Sequence, residues 1–302
     1  MKNVLVTGAS GFIGQHTLDL LVERGYVVHA VSSSIKPPTT NGGVTWHQAD
    51  LLEEKTTAEL LFKLTPTHLL HFAWYAEPAK YWQSAKNMHW LQASINLLRH
   101  FHASGGRRAV MAGSCAEYDW NYGYLSEEFT PSEPATFYGI CKKALADSML
   151  SYGASQGLSC AWGRIFFLYG PGEHPVRFVS SVITALLRNE VAAVSHCRQI
   201  RDFLYVKDVA AAFVALLESS FEGKVNIASG NPVRLERIVE VIASQLNAHD
   251  KIRFGAHPAT HDPPLLVGDC RTLNDIVGWR PGFDLNAGIG QTIDFWKGKI
   301  HS

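Results

Sequence analysis

The chain has 302 residues, long enough for one large or two modest domains with a sizeable core, and 46% of them are hydrophobic. Lys plus Arg number 27 and Asp plus Glu 27, a formal net charge of zero. There is thus no global field to gather nucleic acid or an anionic membrane, no nucleic-acid partner is expected, and any anion site must be local.

Val4-Leu-Val6 is a short apolar run ending at Gly8, as in a buried parallel strand, and Ile13, Thr17, Leu20 and Leu21 then recur at helical spacing. Further strands are expected at 26–31, at 45–47 before Asp50, at 68–73, at 109–112 and at 159–167, most of them separated by helical stretches. Such alternation predicts a parallel α/β sheet covered on both faces. Beyond Tyr169-Gly-Pro-Gly172 the texture changes to helices at 178–188, 208–218 and 235–246, with Pro and Gly clusters at 255–264 and 278–282. Residues 1–168 are therefore read as a dinucleotide-binding domain, and 169–302 as a smaller substrate-binding lobe with some segments returning to the main sheet.

Gly8, Gly11 and Gly14 stand at the first strand-to-helix junction, where glycine permits a tight turn and lets the backbone approach a pyrophosphate, while free N–H groups at the helix start favour the anion. Ser10, Phe12 and Ile13 lie within the same turn. The first two glycines are one residue further apart than in G-x-G-x-x-G. NAD sites commonly place an acid about 20 residues beyond the glycines to bind the ribose 2′-hydroxyl. Here that region reads Ser32-Ser33-Ser34-Ile-Lys36, and no acid stands between Glu23 and Asp50. The serines can hydrogen-bond a 2′-phosphate and Lys36 can supply charge, which favours NADPH (NADP); a polar loop accepting NAD as well is the alternative.

A tyrosine of ordinary pKa, about 10, carries protons poorly at neutral pH, and a lysine one helical turn later can lower it. Tyr138 and Lys142 have that spacing on one helix face, and Ser114 follows the strand at 109–112. A serine there can hold a carbonyl or carbinol oxygen beside a nicotinamide.

With these motifs the chain resembles the extended short-chain dehydrogenase/reductase family, the nucleotide-sugar epimerases, dehydratases and reductases. The resemblance runs almost end to end: Thr7-Gly8-x-x-Gly11-x-x-Gly14, Asp50-Leu51, His71-Phe72-Ala73, Ser114, Tyr138-x-x-x-Lys142, Arg164 to Tyr169-Gly-Pro171, Arg201 to Asp208 and Gly278-Trp-Arg-Pro281. It implies a Rossmann-type doubly wound sheet with Tyr138 as catalytic acid or base. Lys142 would bind the nicotinamide ribose and lower the tyrosine pKa, and Ser114 would orient the reacting oxygen. Asp50 and Leu51 would lie near adenine, Phe72 and Ala73 at the cofactor. Arg201 would hold the nucleotide-sugar diphosphate, Arg177 and Phe178 would begin the nucleotide-binding segment, and Arg271 would add a phosphate contact. A homodimer through helices near 87–104 and 138–155 is also implied.

Departures from the family pattern narrow the reaction. The dehydratases follow the serine or threonine with Asp and Glu; here Cys115 and Ala116 follow, and Glu117, one place on, points elsewhere. Phe167 stands where many epimerases have an asparagine before the Tyr-Gly-Pro turn, and Trp90 where another asparagine is usual, unless Asn87 fills that role. The segment from Ala112 to Trp120, with Gln199 to Phe203, looks most like 4-ketoreductases acting on dTDP- or CDP-linked 4-keto-6-deoxyhexoses in deoxysugar synthesis. NADPH-dependent reduction at C4 is therefore the expected activity, with Trp74 and Tyr75 shaping the sugar pocket or merely packing. A 4-epimerase with tightly held NAD is the alternative, and a redox sensor without chemistry a second.

No metal is expected. His68 and His71 face opposite sides of a strand, His100 and His102 do not share a helix face, and no H-E-x-x-H or Cys/His box occurs. Cys115, Cys141, Cys160, Cys197 and Cys270 are scattered, with no C-x-x-C, and read as reduced thiols. No charged leader precedes the first strand and no apolar run nears the ~18 residues of a membrane span, so a cytoplasmic protein without membrane contact is expected.

Overall fold

The structure, a computed structural model, describes residues 2–34, 42–258 and 263–300. In chain order the N-terminal part contains β1 (Asn3–Thr7), α1 (Leu18–Glu23), β2 (Val27–Ser32), β3 (Val44–Gln48), α2 (Glu54–Leu64), β4 (His68–His71), α3 (Lys86–Ala103), β5 (Arg108–Ser114), β6 (Tyr124–Leu125), α4 (Phe137–Gln156) and β7 (Ser159–Ile165). Then come β8 (Phe167–Tyr169), α5 (Phe178–Leu187), β9 (Ala192–Ala193), β10 (Ile200–Tyr205), α6 (Val206–Glu218), β11 (Gly223–Ile227), β12 (Pro232–Arg234), α7 (Leu235–Leu246), β13 (Ile252–Arg253), β14 (Leu265–Gly268) and α8 (Leu285–Ile300).

Seven strands form one parallel sheet in the order β3-β2-β1-β4-β5-β7-β11. The period of two along β1 explains its two covered faces. Val4 and Val6 pack with Leu18, Leu21 and Phe213 from α1 and α6, whereas Leu5 joins Leu61, Leu97, Leu145 and Met149 from α2, α3 and α4 on the other side. This is the Rossmann-type α/β arrangement that the alternation predicts.

The apolar run at 159–167 does not stay one strand. β7 ends at Ile165, Phe166 turns into a separate core with Tyr118, Leu125 and Leu266, and β8 pairs instead with β10 of a smaller sheet, β12-β10-β14-β6. A third core of Ile183, Ile238, Ile242 and Ile289 unites α5, α7 and α8 into the smaller lobe. From that half of the chain, α6 and β11 return to the large sheet. The sheet order reverses between β1 and β4, so the chain segments leaving those two strands flank a crevice at their carboxyl ends, where doubly wound sheets bind ligands. Among the described residues, no helix is long and apolar enough to cross a membrane.

Candidate active site

At the crevice, Gly8 has φ +65°, and a Cβ there would lie 2.7 Å from the Ala73 nitrogen. A Cβ on Gly14 would overlap the Gly8 carbonyl oxygen. The turn is therefore closed by backbone lying on backbone, with Gly11 N–H donating to Gly8 O at 2.9 Å, and any side chain would fill the cradle that a pyrophosphate needs. Phe12 and Ile13 are half-buried against the smaller lobe, while Ser10 is exposed. Phe72 and Ala73, leaving β4, form the facing wall, Phe72 with its ring 4.9 Å from that of Phe213. His71 bridges Thr7 Oγ1 (2.6 Å) and Ser94 Oγ (2.9 Å), and burial together with the nearby Lys142 pushes its pKa down to about 3, so it is a neutral strut between β1, β4 and α3.

At the end of β2, where the sequence suggests a cofactor ribose contact, Ser32 Oγ lies 3.2 Å from Ser10 Oγ and 3.0 Å from Ser34 Oγ, and it also accepts from Ser34 N–H. Ser33 is exposed, and Lys36 lies outside the described residues. Asp50 is exposed and caps Leu52 N–H at 3.0 Å; Leu51 is buried beneath the sheet edge.

Thr136 caps α4, accepting from Gly139 N–H at 3.1 Å, and thereby sets Tyr138 and Lys142 in the first turns beside the end of β5. The Tyr138 phenol lies beside the Ser114 side chain, whose influence favours the phenolate. Lys142 Nζ donates to Ala112 O at 2.8 Å and sits 3.8 Å from the Trp74 ring centroid. Burial raises the Tyr138 pKa, a neighbouring Tyr81 raises it further, and burial pushes the Lys142 amine down to about 7. As it stands, the phenol is a proton donor and the amine is poised between its two forms.

Trp74, Tyr81 and Trp82 place their ring centroids 6.4, 4.9 and 5.8 Å from that of Tyr138, and Trp120 lies 6.1 Å from Trp82. This aromatic wall was not singled out from the sequence apart from Trp74; the Tyr81-Trp82 pair in a connecting segment is its visible trace. Asn87, fully buried, holds it together, accepting from Trp74 Nε1 (2.9 Å) and donating to Tyr81 O (2.6 Å) and Ser84 O (3.0 Å).

The arginines fall in different places. Arg177, exposed at the start of α5, has its guanidinium 5.7 Å from the Tyr81 ring centroid, so it reaches the aromatic wall; Phe178 is half-buried beside it. Arg201 is buried, donates to Ile200 O at 2.9 Å and lies 5.4 Å from the ring of Phe167. Arg271 is engaged by Asp269 through Nε and Nη2, with its side chain 69% exposed. Among the described residues, no group of three His, Cys, Asp or Glu is placed to hold a metal ion.

A family model described as the NAD dependent epimerase/dehydratase family matches residues 4–228. The chain belongs to that family. UDP-glucuronate 4-epimerase 1 of Arabidopsis thaliana is 24% identical over 332 residues, covering 97% of this chain and 76% of the relative. Among solved structures, MoeE5 in complex with UDP-glucuronic acid and NAD is 28% identical, with a TM-score of 0.84 and coverage of 98% and 99%. The Thermus thermophilus UDP-glucose 4-epimerase, complexed with NAD, is 26% identical, again with a TM-score of 0.84 and coverage of 98% and 99%.

Two expectations are corrected by these findings. C4-ketoreduction of a dTDP- or CDP-linked sugar is overturned, because relatives named as 4-epimerases and decarboxylases outnumber those named as reductases among the similar proteins. The structure shows why the sequence misled. In the 112–120 segment Glu117 and Tyr118 are buried props, and Trp120 Nε1 donates to Cys115 O at 2.7 Å. In the 199–203 segment Asp202 serves Ser229, Gly230 and Gly268. That likeness lies in residues buried around the site and does not distinguish one reaction from another. The preference for NADPH is overturned by the NAD in the structures of the 26–28% identical relatives. Serine hydroxyls, which donate and accept equally, serve a ribose hydroxyl as well as a phosphate, and they satisfy one another here.

Proposed function

We propose that the protein is an NAD-dependent 4-epimerase of a nucleoside-diphosphate sugar, most simply a UDP-sugar, that keeps NAD bound through turnover. The reading rests on one juxtaposition: the Ser114–Tyr138 pair, with Lys142 on the same helix face, at the mouth of a crevice whose glycine cradle a Cβ would fill. Support also comes from the NAD- and UDP-sugar-bound relatives. Cys115 and Ala116, both buried, offer no acid and base for eliminating water.

The glycine turn suits the pyrophosphate, Asp50 and Leu51 the adenosine end, Ser32 the ribose, and Lys142 the nicotinamide ribose. When bound, NAD supplies a reversible hydride acceptor. Ser114 holds the sugar's 4-oxygen, and Tyr138 takes its proton as the carbinol becomes a ketone, then returns it when the ketone is reduced from the opposite face. Lys142 stabilises the phenolate between these events. Trp74, Trp82 and Trp120 offer flat apolar walls to the sugar, and Arg201 and Arg177 flank the diphosphate path. Retention of Tyr138 and Lys142 favours chemistry over a sensing role.

The test is to denature the purified protein and assay the supernatant for NAD, then to incubate native protein with UDP-glucose and UDP-glucuronic acid in D2O and resolve the 4-epimers by NMR. We expect bound NAD, an equilibrium mixture of epimers and no deuterium at C4. Net consumption of reduced nicotinamide, or loss of carbon dioxide without epimer, would overturn the proposal.

A further inference from the structure

Directly beneath the catalytic strand end lies a carboxylate that the reaction above leaves unused. Glu117 is 0% exposed, follows Ser114 in a short 3-10 turn, and accepts from Ser114 N–H at 2.8 Å while Ser114 Oγ accepts from Ala116 N–H at 3.2 Å. Trp162 Nε1 donates to its two oxygens at 2.9 and 3.1 Å, and Arg164 Nε at 2.8 Å. Every contact to the carboxylate is a donor, so its orientation is fixed on all sides.

We propose that Glu117 is a positioning residue of the site, fixing Ser114 through its backbone N–H and supplying the negative charge that acts on Lys142. The first half follows from geometry. With one Ser114 lone pair taken by Ala116 N–H, the hydroxyl proton and remaining lone pair are left for Tyr138 and the sugar oxygen. Gly113 admits this arrangement because a Cβ there would lie 2.6 Å from Glu117 Oε1.

The second half follows from what surrounds the amine. Lys142 Nζ donates to Ala112 O of β5 and lies 3.8 Å from the Trp74 ring centroid, with neutral His71 of β4 nearby and the Trp162 ring of β7 at 5.8 Å; Trp162 Nε1 in turn donates to Glu117, which has Arg164 behind it. Among these, Glu117 is the group whose field favours the ammonium, against the burial that favours the neutral amine. A neutral amine at working pH would stabilise no phenolate.

The inference deepens the proposed reaction and rests on it, so its test includes a readout that needs no substrate. In protein carrying 13C-labelled lysine Cε, the Lys142 resonance, assigned with Lys142→Met, is titrated in the wild type, in Glu117→Gln, and in Glu117→Gln/Arg164→Met. The double variant removes the unpaired arginine that the single change leaves buried. Titration of Lys142 is expected to move down by about one pH unit in the folded variants, the low end of what a nearby opposite charge produces. The alkaline limb of kcat should move down with it, and NAD content should stay at the wild-type level. An unchanged Lys142 titration in the double variant, with a melting curve like the wild type's, overturns the proposal whether or not epimerase activity is found. A shifted titration without epimerase activity leaves the proposal standing and sinks only the assigned reaction.

Discussion

Tyr138 meets opposing demands. Rings of Trp74, Tyr81 and Trp82 surround it and burial raises its pKa, which favours the protonated phenol, whereas epimerisation requires it to accept a proton first. The Ser114 side chain beside it favours the phenolate, and the charge of Lys142 is the resource left to add. Removing the phenol oxygen should therefore remove the proton path without disturbing the glycine cradle. Tyr138→Phe is expected to cut kcat by at least ~10²-fold, the usual worth of a positioned acid–base group. It should leave the NAD released on denaturation equal to the wild type's, measured by enzymatic cycling. Loss of NAD together with activity would instead make Tyr138 part of the cofactor's binding surface.

At the level of elements, α3 and α4 lie side by side over the large sheet, their inner faces in the core with Leu97, Phe101, Leu145 and Met149. Their outer faces keep apolar side chains in solvent: Met88 and Ile95, two helical turns apart on α3, and Ile140 on α4, at 52, 39 and 50% exposure. This is the surface through which the family resemblance implies a homodimer. Ile140→Asp should convert a dimer to a monomer by light scattering coupled to size exclusion, with the melting transition shifted by no more than a surface substitution allows. A wild-type protein that elutes as a monomer at micromolar concentration would remove the idea. The elements themselves were legible because parallel strands buried on both faces read as short apolar runs, and because glycine at 8 and 14 has no substitute in the turn they build. The division of 159–167 into β7 and β8 was not legible, since Phe166 and Phe167 are equally apolar and only the third dimension sends one into a core and the other to a new sheet. The aromatic wall and the Glu117 props escaped for the same reason, because their partners are remote in sequence: Trp82 to Tyr138, and Glu117 to Trp162 and Arg164.

Across the whole molecule, the two lobes are joined by the chain leaving β8 and by the interior it enters. Glu173 lies there, buried, its carboxyl in a 2.7 Å hydrogen bond from Ser180 Oγ, which in turn accepts from Trp296 Nε1 at 3.2 Å, so that one polar chain links the Gly170–Gly172 turn, α5 and α8. Burial pushes the Glu173 pKa up to about 7 from an ordinary 4.5. The folded state thus holds a proton that the unfolded chain releases at lower pH. Stability from this group is complete below pH 4.5 and is lost as pH rises through about 7, by roughly 1–3 kcal/mol from the linkage of pKa to folding. Glu173→Gln keeps the shape and the acceptor for Ser180 while removing the ionisation. The variant should match the wild type near pH 5 and exceed it at pH 8, with urea midpoints diverging as pH rises between those values. Midpoints that stay parallel from pH 5 to pH 8 would mean that water or a nearby cation already compensates the charge, and that the lobes are not coupled to proton release at this position.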